Sequence, residues 1–553
     1  MRKLPLLIVH AILALIVCFL IIFAKGKYDT YSYGVERGGV HYTVYAYRMS
    51  ELAIRYREES EYGDVRYWTN YTWNSTTTNI LINAANYPTL TAGDTVFIPT
   101  RSGGAGYRSY TLNGVSSGAP NQYIVIDWLP GTYITTNTSS PIFANSINNI
   151  YGVKTVHMTM NDNIDVAFSS YSSGSYSQYV WFDSCTYIGM NGFFPSTNPT
   201  LTTPNFTGDT VNCFYMWRWS HCTWDSLVGG NSGNTALNIG NIAKNNTWIH
   251  TEVDHCLFGD YSSSSSPAGY IHALNVFGLY IHDDSLWNLG KNVPSPVGHA
   301  AQIFLQTCYY EIYNCYFGPN NFGNCVRSFG SDDIPSMFNT FSQWSVGYNG
   351  RSRIYNCIDA DSRKYPFYET RQTPTDTTAL SPYPRVRTSA EVWYISAVRL
   401  NAGICCNGYS ASIVDCYEND SLFLKGSFEC GASDTVWGAC TSTTCVKLIT
   451  TPNGAVTKWD TATTRFVSSA FGVGLLDSTL TYHPNTGSGL LYNQSIAPPS
   501  YISTDYYGSP RRDTNRSPGV DIGAVQASGN LPPTSGSGII LRRGARNRIY
   551  INN

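Results

Sequence analysis

The chain has 553 residues, a formal net charge of −2 and only 13% charged residues. This balance excludes a broad electrostatic attraction to nucleic acid, while the length allows a large buried core. The composition includes 48 glycines and 42 tyrosines. Glycine turns combined with aromatic residues are typical of strands joined by tight connections. We therefore predict an all-β protein that has no nucleic-acid partner.

An apolar run opens the chain. Arg2 and Lys3 precede 19 residues, Leu6 to Ala24, that carry no charged side chain. Such a run is long enough to cross a bilayer as a hydrophobic helix, yet it also resembles a long signal sequence. Residues 1–26 are therefore either a signal peptide or an uncleaved membrane anchor. In both cases we expect the rest of the chain to be extracellular or at the cell surface.

The cysteine content fits an exported protein. Of 15 cysteines, one lies in the apolar run at Cys18, which leaves 14. An even number outside the cytosol permits disulfides. No CxxC pair with a nearby His completes a zinc ligand set, so we expect no metal site. The candidate disulfide cysteines lie in loop-like sequence: Cys405, Cys406, Cys430, Cys440 and Cys445.

Residues 27–75 form a Tyr-rich, charged segment that we interpret as an N-terminal spacer or cap. Within it, Ser50 to Glu59 is predicted to form a short helix capped by Ser50. Alternating apolar residues and glycine-containing turns follow further along the chain. We assign residues 76–526 to a single β-domain.

Two stretches near the start of this domain carry a family resemblance. "LTAGDTVFI" begins at Leu90, and "SSGAPNQYIVIDWLPG" begins at Ser116. In each stretch a turn at Gly93 or Gly118 precedes a strand with alternating apolar residues. These stretches resemble the first coils of pectin-lyase-like proteins. The resemblance implies a single-stranded right-handed parallel β-helix, which is a solenoid of stacked coils.

A repeat runs through the middle of the chain. Each copy has an apolar residue, a polar residue, Cys or Ser, and another apolar residue two positions on. The Cys or Ser positions are 185, 222, 256, 285, 315 and 357, which by subtraction lie 29 to 42 residues apart. Coils of at least ~20 residues with inserted loops produce such spacings. We predict that Asn314 of "IYNC" lies in a turn and that the cysteines stack inside as small hydrophobes.

A second resemblance lies near the C-terminus. "DYYGSPRRDTNRSPGVDIGAVQ" resembles the closing segment of many exported bacterial β-helix proteins. The resemblance implies that Arg511 pairs with Asp505 or Asp521 and fixes the last coil. Residues 527–553 are predicted to be a linker and a basic tail, either docked or disordered. The matched positions are Asp505, Gly508, Pro510, Arg511 and Asp521 to Ala524.

Polysaccharide hydrolysis requires carboxylates that face a common groove. Polygalacturonase-like hydrolases carry a double Asp, then Gly-His-Gly, then Arg-Ile-Lys. Part of this series occurs here in the same order, at Asp283, Asp284, His299 and Arg353. The resemblance implies that these four residues are catalytic.

The series departs from the family pattern at two positions. Ala300 stands where the pattern has Gly, and Tyr355 stands where it has Lys. Parts of the series also fall within the structural repeat, and Asp332-Asp333 forms a competing loop site. Lyase chemistry would instead place a basic residue beside carboxylates that bind Ca²⁺. Apart from this ion, we expect no cofactor.

Aromatic and histidine side chains supply further candidates. Exposed rings stack on sugar faces, and Trp224 and Trp287 are the candidate carbohydrate-binding residues. Other aromatic residues of the domain must fill the core. We interpret four histidines as polar ladder or surface residues and not as metal ligands: His255, His272, His282 and His299.

These observations support two functional hypotheses. The first is an extracellular, membrane-tethered or secreted β-helix protein that binds polysaccharide or a surface glycan, with cleavage as a lyase or glycoside hydrolase as its enzymatic form. The second is a non-catalytic surface protein, which would be an adhesin, a receptor-binding spike or a subunit of a homo-oligomer or fibre. Because the fold alone does not decide function, both hypotheses stay open at this point.

Overall fold

A computed structural model describes residues 31–37, 40–46, 57–59, 65–67, 542–543, 549–550 and most of 70–526. Every regular element in these residues is a β-strand, and none of them forms a helix able to span a membrane. The predicted hydrophobic helix within 1–26 lies outside them. The gaps within 70–526 are 119–121, 136–144, 162–167, 170–176, 190–213, 227, 230–234, 240–247, 261, 264–268, 275, 290–300, 307, 319–323, 330–351, 361–366, 371–388, 399–413, 417–420, 426–427, 433–455, 460–464, 469–482, 485–490, 496 and 512–519.

The chain divides into two compact units, Met1–Asn70 and Tyr71–Asn553. The first contains two antiparallel strand pairs. Tyr31–Arg37 pairs with Val40–Ala46, and Arg57–Glu59 pairs with Val65–Tyr67. The helix that we predicted over Ser50 to Glu59 is therefore wrong at its C-terminal end, because the backbone there pairs with another strand.

The second unit is built from parallel strands. Its largest sheet, PB1, has thirteen strands whose order in space follows their order in the chain. The PB1 strands are Asn70–Thr72, Thr95–Ile98, Ile124–Trp128, Tyr151–Val156, Gln178–Asp183, Phe214–Ser220, Trp248–Asp254, Val276–His282, Tyr309–Tyr313, Ser352–Tyr355, Ser389–Trp393, Ser421–Lys425 and Val456–Trp459.

A second sheet, PB2, has ten strands, and the third position of the coil is filled by a four-stranded sheet, PB3a, and a six-stranded sheet, PB3b. The PB2 strands are Thr159–Asn161, Thr186–Ile188, Thr223–Asp225, Leu257–Phe258, Ser285–Leu286, Tyr316–Phe317, Ile358–Ala360, Ser396–Val398, Phe428–Ala432 and Arg465–Ser468. The PB3a strands are Asn79–Asn83, Ser109–Asn113, Asn145–Asn148 and Phe168–Ser169. The PB3b strands are Thr235–Ile239, Gly269–Leu274, Ala301–Gln306, Asn324–Phe329, Phe367–Thr370 and Val414–Cys416.

Two short strand pairs lie outside these sheets. Val228–Gly229 pairs with Ser262–Ser263 in parallel, and Arg542–Arg543 pairs with Ile549–Tyr550 in antiparallel orientation.

The strands follow one another in a fixed succession. In a typical coil, Gly269–Leu274 of PB3b leads to Val276–His282 of PB1, and a turn then leads to Ser285–Leu286 of PB2. Each of these strands pairs in parallel with its equivalent in the next coil. This arrangement confirms the predicted all-β parallel β-solenoid.

The core is a set of ladders inside the coils. In PB1, Val153 pairs with Val180 and Val180 pairs with Trp217, and all three are buried. In PB2, the ring centroids of Trp224 lie 4.8 Å from Tyr187 and 4.4 Å from Phe258. Burial of these stacked apolar faces is the main stabilising term for a parallel sheet.

A turn with one residue in the left-handed region joins eight PB1 strands, from Tyr151–Val156 to Ser389–Trp393, to the PB2 strands that follow them. The φ angles at this position lie between 53° and 59°. Asn is one of the residues that adopt this conformation at low cost, which confirms the turn predicted for Asn314. We call these positions the turn row: His157, Ser184, His221, His255, Asp283, Asn314, Asn356 and Tyr394.

The residue after each turn-row position faces the interior. The thiol Sγ of Cys222 donates to the carbonyl of Ser220 at 3.3 Å, which is a weak local bond. The predicted cysteine stack is therefore confirmed as a ladder of small buried side chains. Its cysteines are free and fully buried: Cys185, Cys222, Cys256, Cys315 and Cys357. The candidate disulfide cysteines from 405 to 445 lie outside the residues whose side chains are described.

Strand pairing corrects the alignment of the "HDDS" copy. Ser285 pairs with the residues that follow Cys256 and Cys315, not with the cysteines themselves. The ladder position in this coil therefore belongs to Asp284. Our alignment was wrong by one residue, because we matched Ser to Cys by size, whereas the ladder is set by backbone hydrogen bonds.

Residues 491–495, 497–511 and 520–526 lie against the turn row at its C-terminal end, and we call them the closing segment. Nη2 of Arg511 donates to Oδ1 of Asn356 and, at 2.9 Å, to the carbonyl of Ala524. Its guanidinium lies 4.0 Å from the ring centroid of Tyr394. Nδ2 of Asn356 donates to the carbonyl of Thr504 at 2.7 Å. This closing segment is thus attached directly to the turn row.

The predicted partners of Arg511 are also nearby. Burial lowers the pKa of Arg511, and the negative charges of Asp505 and Asp521 oppose that shift. The carboxylate of Asp505 accepts backbone N–H groups from Tyr507 and Ser509. It therefore also holds the shape of the closing segment.

The closing segment divides the turn row into covered and open parts. Asn356 is 2% exposed and Tyr394 is fully buried. By contrast, the side chains of His221 and Asp283 are 53% and 33% exposed. We call the stretch from His157 to Asn314 the open turn row.

Candidate functional site

The open turn row lies beside a line of large polar residues on the outer face of PB1. Because side chains alternate between the two faces of a strand, each of these PB1 strands turns one residue outward at the same position in the coil. Parallel strand pairing places these residues next to one another. Acidic, basic and aromatic side chains follow one another along the line. We call it the charged row: Lys154, Trp181, Arg218, Glu252, Tyr280, Glu311 and Arg353.

Trp181 lies between two cations of the charged row. Nζ of Lys154 is 3.5 Å from its ring centroid, and the guanidinium carbon of Arg218 is 4.9 Å from it. Tyr123 meets the same ring edge-on at 5.6 Å. The indole is half-buried. Its orientation is therefore fixed by neighbours while part of the ring stays accessible.

The guanidinium of Arg218 contacts two carboxylates, those of Asp254 and Glu252. Nε and Nη2 donate to Asp254 at 2.9 and 3.0 Å, and Nε also lies 3.3 Å from Oε2 of Glu252. Burial by itself raises the pKa of Asp254, but the hydrogen bonds from His255 and Arg218 outweigh it and lower that pKa. Asp254 is thus an ionised carboxylate although it is 1% exposed.

A second ionised carboxylate, that of Asp183, lies on the PB1 strand one coil before the strand of Arg218. Nζ of Lys154 lies 2.7 Å from Oδ2, and Nδ1 of His221 lies 3.1 Å from Oδ1. Burial favours the neutral acid, but the hydrogen bond from His221 and the charge of Lys154 lower the pKa of Asp183 to about 2. The carboxylate therefore stays charged throughout the physiological range.

The turn histidines share one arrangement. Nδ1 of His157 lies 2.9 Å from Oδ1 of Asp127, and the same atom of His221 contacts Asp183. His255 stacks on His221 with 5.0 Å between ring centroids. For His157 and His221, a carboxylate therefore orients an imidazole ring whose edge reaches the surface. Imidazoles that bind a ligand or act as an acid or a base are usually oriented in this way.

His282 bridges two acidic residues. Nε2 lies 2.9 Å from Oε1 of Glu252, and Nδ1 lies 2.9 Å from Oδ2 of Asp283. Burial lowers the pKa of His282, but these two hydrogen bonds outweigh burial and raise that pKa to about 9. The ring also stacks on Tyr313 at 4.6 Å.

An aromatic line runs parallel to the charged row at the start of the PB1 strands. Tyr179 lies 5.0 Å from Tyr151 and 5.3 Å from Tyr215, and Tyr215 lies 5.7 Å from His250, between ring centroids. All four rings are partly exposed. The outer face of PB1 therefore combines a charged and an aromatic line that both repeat from coil to coil.

The structure separates the two predicted catalytic carboxylates. Asp283 belongs to the open turn row, where its Oδ1 accepts from Nδ2 of Asn314 at 3.3 Å. Asp284 is 1% exposed and points into the cysteine ladder, and burial raises its pKa well above the usual range. The two groups therefore do not face a common groove.

The other two predicted catalytic residues are placed differently again. Arg353 belongs to the charged row, but it is 7% exposed and its Nη1 donates to Glu311 at 2.8 Å. Tyr501 of the closing segment lies over its guanidinium at 4.0 Å. His299 lies outside the described residues. Asp283 is the member of the series that is both described and open to solvent.

The two predicted sugar-binding tryptophans also differ. Trp224 is fully buried in the PB2 core stack. Trp224 therefore fills the core, and its predicted contact with sugar is wrong. Trp287 is half-buried beside PB2. A Cβ placed on Gly259 would lie 2.6 Å from its ring, so the ring covers that backbone. Trp287 remains a candidate on a face other than the outer face of PB1.

Several functional candidates were missed at the sequence level: Trp181, Arg218, His221, Glu252 and Asp254. The copies "WRWSHC" and "TEVDHC" do carry a signal, because polar residues occupy the second and fourth positions before Cys. Alternation places both positions on the outer face. Of the remaining histidines, His272 lies on PB3b and contacts Phe304 edge-on at 4.8 Å, away from this site.

No protein-family model matches the sequence, and no curated protein matches it either. Among solved structures, the A-module of the Azotobacter vinelandii mannuronan C-5 epimerase AlgE4 is 11% identical, with a TM-score of 0.30 over 60% of this chain and 86% of that chain. PfbA, a surface adhesin of Streptococcus pneumoniae, is 10% identical, with a TM-score of 0.23 over 65% and 83% of the two chains. The assignment of the fold rests on the strand pairing within this chain.

Proposed function

We propose that the chain is an extracellular or cell-surface protein that binds polysaccharide along the outer face of PB1, beside the open turn row. The observation that carries this proposal is the repetition of the charged row and the aromatic line from coil to coil. A polymer that lies along the solenoid meets one outward side chain of the charged row in each coil, at the regular spacing of the coils. Trp181 is the proposed centre of the site.

The polar side chains at this face support binding because they are already fixed. Lys154 is held by Asp183, and Arg218 is held by Asp254, so neither cation has to be ordered when a ligand arrives. Their pairing also reduces the net charge of the surface. Such a surface suits hydroxyl-rich sugar chains, with Trp181 providing the apolar contact.

Cleavage of the bound polymer is a second candidate function. It is favoured by the exposed imidazoles and carboxylates of the open turn row, since these groups are suited to general acid–base catalysis. In this form of the proposal, Asp283 and His221 act on the substrate. Asp284 does not, because its carboxyl group lies in the core.

A glycan array and a depolymerase screen on the full chain test both functions. We expect at least one polysaccharide to bind, and Trp181→Ala to weaken that binding by about tenfold or more, which corresponds to about 1.4 kcal/mol. If cleavage occurs, Asp283→Asn should abolish it while binding remains. Binding that is unaffected by Trp181→Ala would place the site elsewhere.

The non-catalytic surface protein remains the alternative function. An adhesin, a spike or a fibre subunit would bind a protein or a second copy of the chain without needing the charged row. Sedimentation of the purified chain and binding to whole cells separate the two cases. Self-association or cell binding that survives Trp181→Ala, with no glycan bound, would favour this alternative.

A further inference from the structure

Two histidines and one aspartate converge at the C-terminal end of the open turn row. His255 and His282 lie on adjacent coils, with ring centroids 6.1 Å apart and ring planes nearly perpendicular. Asp283 follows His282 in the turn. One ligand atom from each of the three residues lies within 4.8 Å of the other two. This separation is small enough for a single ion to reach all three after minor side-chain adjustment.

His255 is oriented from behind by a carboxylate. Its Nδ1–H donates to Oδ2 of Asp254 at 2.9 Å, and Asp254 is itself clamped by Arg218. This bond fixes the tautomer and leaves Nε2 as the atom available for a ligand. A histidine held by an outer carboxylate is the usual arrangement around protein-bound metals.

His282 has the same support from a different residue. Its Nε2 lies 2.9 Å from Oε1 of Glu252, and Oε2 of the same carboxylate lies 3.3 Å from Nε of Arg218. Its Nδ1 is thereby turned towards Asp283, whose Oδ2 lies 2.9 Å away. An ion that binds between these two atoms takes the place of the proton that they share. Arg218 thus stabilises the outer carboxylates of both histidines.

We propose that Nε2 of His255, Nδ1 of His282 and a carboxylate oxygen of Asp283 bind a divalent transition-metal ion of the zinc class. Two imidazoles and one carboxylate, with a fourth position left open, form a common zinc ligand set. Calcium and magnesium prefer sites made of oxygen ligands, so this donor set disfavours them. This proposal departs from our expectation that these histidines are polar ladder or surface residues and not metal ligands.

The site is accessible to an ion from solvent. The side chains of His255 and Asp283 are 26% and 33% exposed. His255 and Asp283 belong to the open turn row, which lies beside the proposed polysaccharide site. The metal proposal does not depend on that function, because metal binding is measured without any glycan.

Isothermal titration of the full chain with ZnCl₂, followed by metal analysis after equilibrium dialysis, tests the proposal. We expect one zinc ion per chain at this site and no comparable binding of CaCl₂. His255→Ala should weaken zinc binding by at least tenfold. His157→Ala is the matched control, since His157 has the same turn conformation and the same kind of contact with an aspartate.

The result that would overturn the proposal is zinc affinity in His255→Ala equal to that of the His157→Ala control. Equal affinity for zinc and calcium in the unmodified chain would overturn it as well. If His255→Ala does not fold, Asp283→Asn carries the same test, because it removes the charged ligand and keeps the side-chain shape. Circular dichroism of each variant establishes that the fold is retained.

Discussion

The carboxyl oxygen Oδ1 of Asp284 accepts a hydrogen bond from the backbone N–H of Cys256, one coil away, at 2.6 Å. The other oxygen, Oδ2, is buried and has no hydrogen-bond partner among the described residues. A carboxyl group thus replaces a thiol in the middle of the cysteine ladder. An unsatisfied buried polar atom of this kind costs about 1–3 kcal/mol.

We therefore predict that Asp284→Cys stabilises the protein by about 1 kcal/mol, because the relief of the unsatisfied Oδ2 exceeds the loss of the hydrogen bond from the Cys256 N–H. Urea unfolding followed by circular dichroism measures the change. Asp225→Asn, an exposed carboxylate on PB2, is the control and should shift stability by less than about 0.5 kcal/mol. Destabilisation by Asp284→Cys would show that the carboxyl group contributes favourably to the folded state.

Removing Arg218 should leave the buried charge of Asp254 with fewer partners, since His255 and Ser220 still contact it. We predict that Arg218→Met costs about 1–3 kcal/mol in unfolding free energy, less than for a fully buried ion pair because the Arg218 side chain is 37% exposed. Adding Asp254→Asn should recover much of the loss, since the uncompensated charge is then gone. A double-mutant cycle measured by urea unfolding checks this, and purely additive losses would argue against strong coupling.

Asp183 predicts a specific dependence of stability on pH. Its pKa is about 2 in the folded chain, against an ordinary value of 3.8. A lowered carboxyl pKa adds stability above the unfolded value, and this gain is lost as pH falls from about 4 towards 2. The difference corresponds to about 2 kcal/mol.

Asp183→Asn should accordingly be less stable than the unmodified chain at pH 6, with the gap closing below pH 4. Unfolding curves recorded at several pH values measure this. Asp225→Asn serves again as the exposed control. A gap for Asp183→Asn that stays constant down to pH 2 would contradict the proposed charge pairing.

The closing segment should depend on Arg511. We predict that Arg511→Ala releases the closing segment from the turn row, because the contacts to Asn356, Ala524 and Tyr394 are lost together. Limited proteolysis should then cleave this segment much faster. Arg108→Ala, at an exposed arginine, is the control. Equal cleavage rates in the two variants would mean that Arg511 does not hold the segment.

Much of the architecture could be predicted from local sequence patterns. Glycine turns, alternating apolar residues and the repeated "IYNC"-like copies follow directly from coil geometry, and Asn314 occupies the turn as expected. The error at Ser285 arose because side-chain size was compared without knowing which backbone groups pair. A shift of one residue in a strand exchanges the residues that face inward with those that face outward. With the alignment corrected by one residue, Asp284 lies in the core.

The candidate site was harder to predict, because its members come from successive coils far apart in the chain. Arg218 and Asp254 are 36 residues apart and meet only through strand pairing. His255 and His282 looked like independent polar residues for the same reason. Trp224 and Trp181 are both aromatic positions in the repeat, and only the direction of the strand face distinguishes core from surface.

The most direct test of the polysaccharide site is the affinity of one bound glycan for Trp181→Ala compared with Trp287→Ala. Both variants remove a half-buried tryptophan, but the two residues lie on different faces of the solenoid. We predict a loss of about tenfold or more for Trp181→Ala and little change for Trp287→Ala. The opposite pattern, or equal affinity in both variants and the unmodified chain, would contradict a binding site on the outer face of PB1.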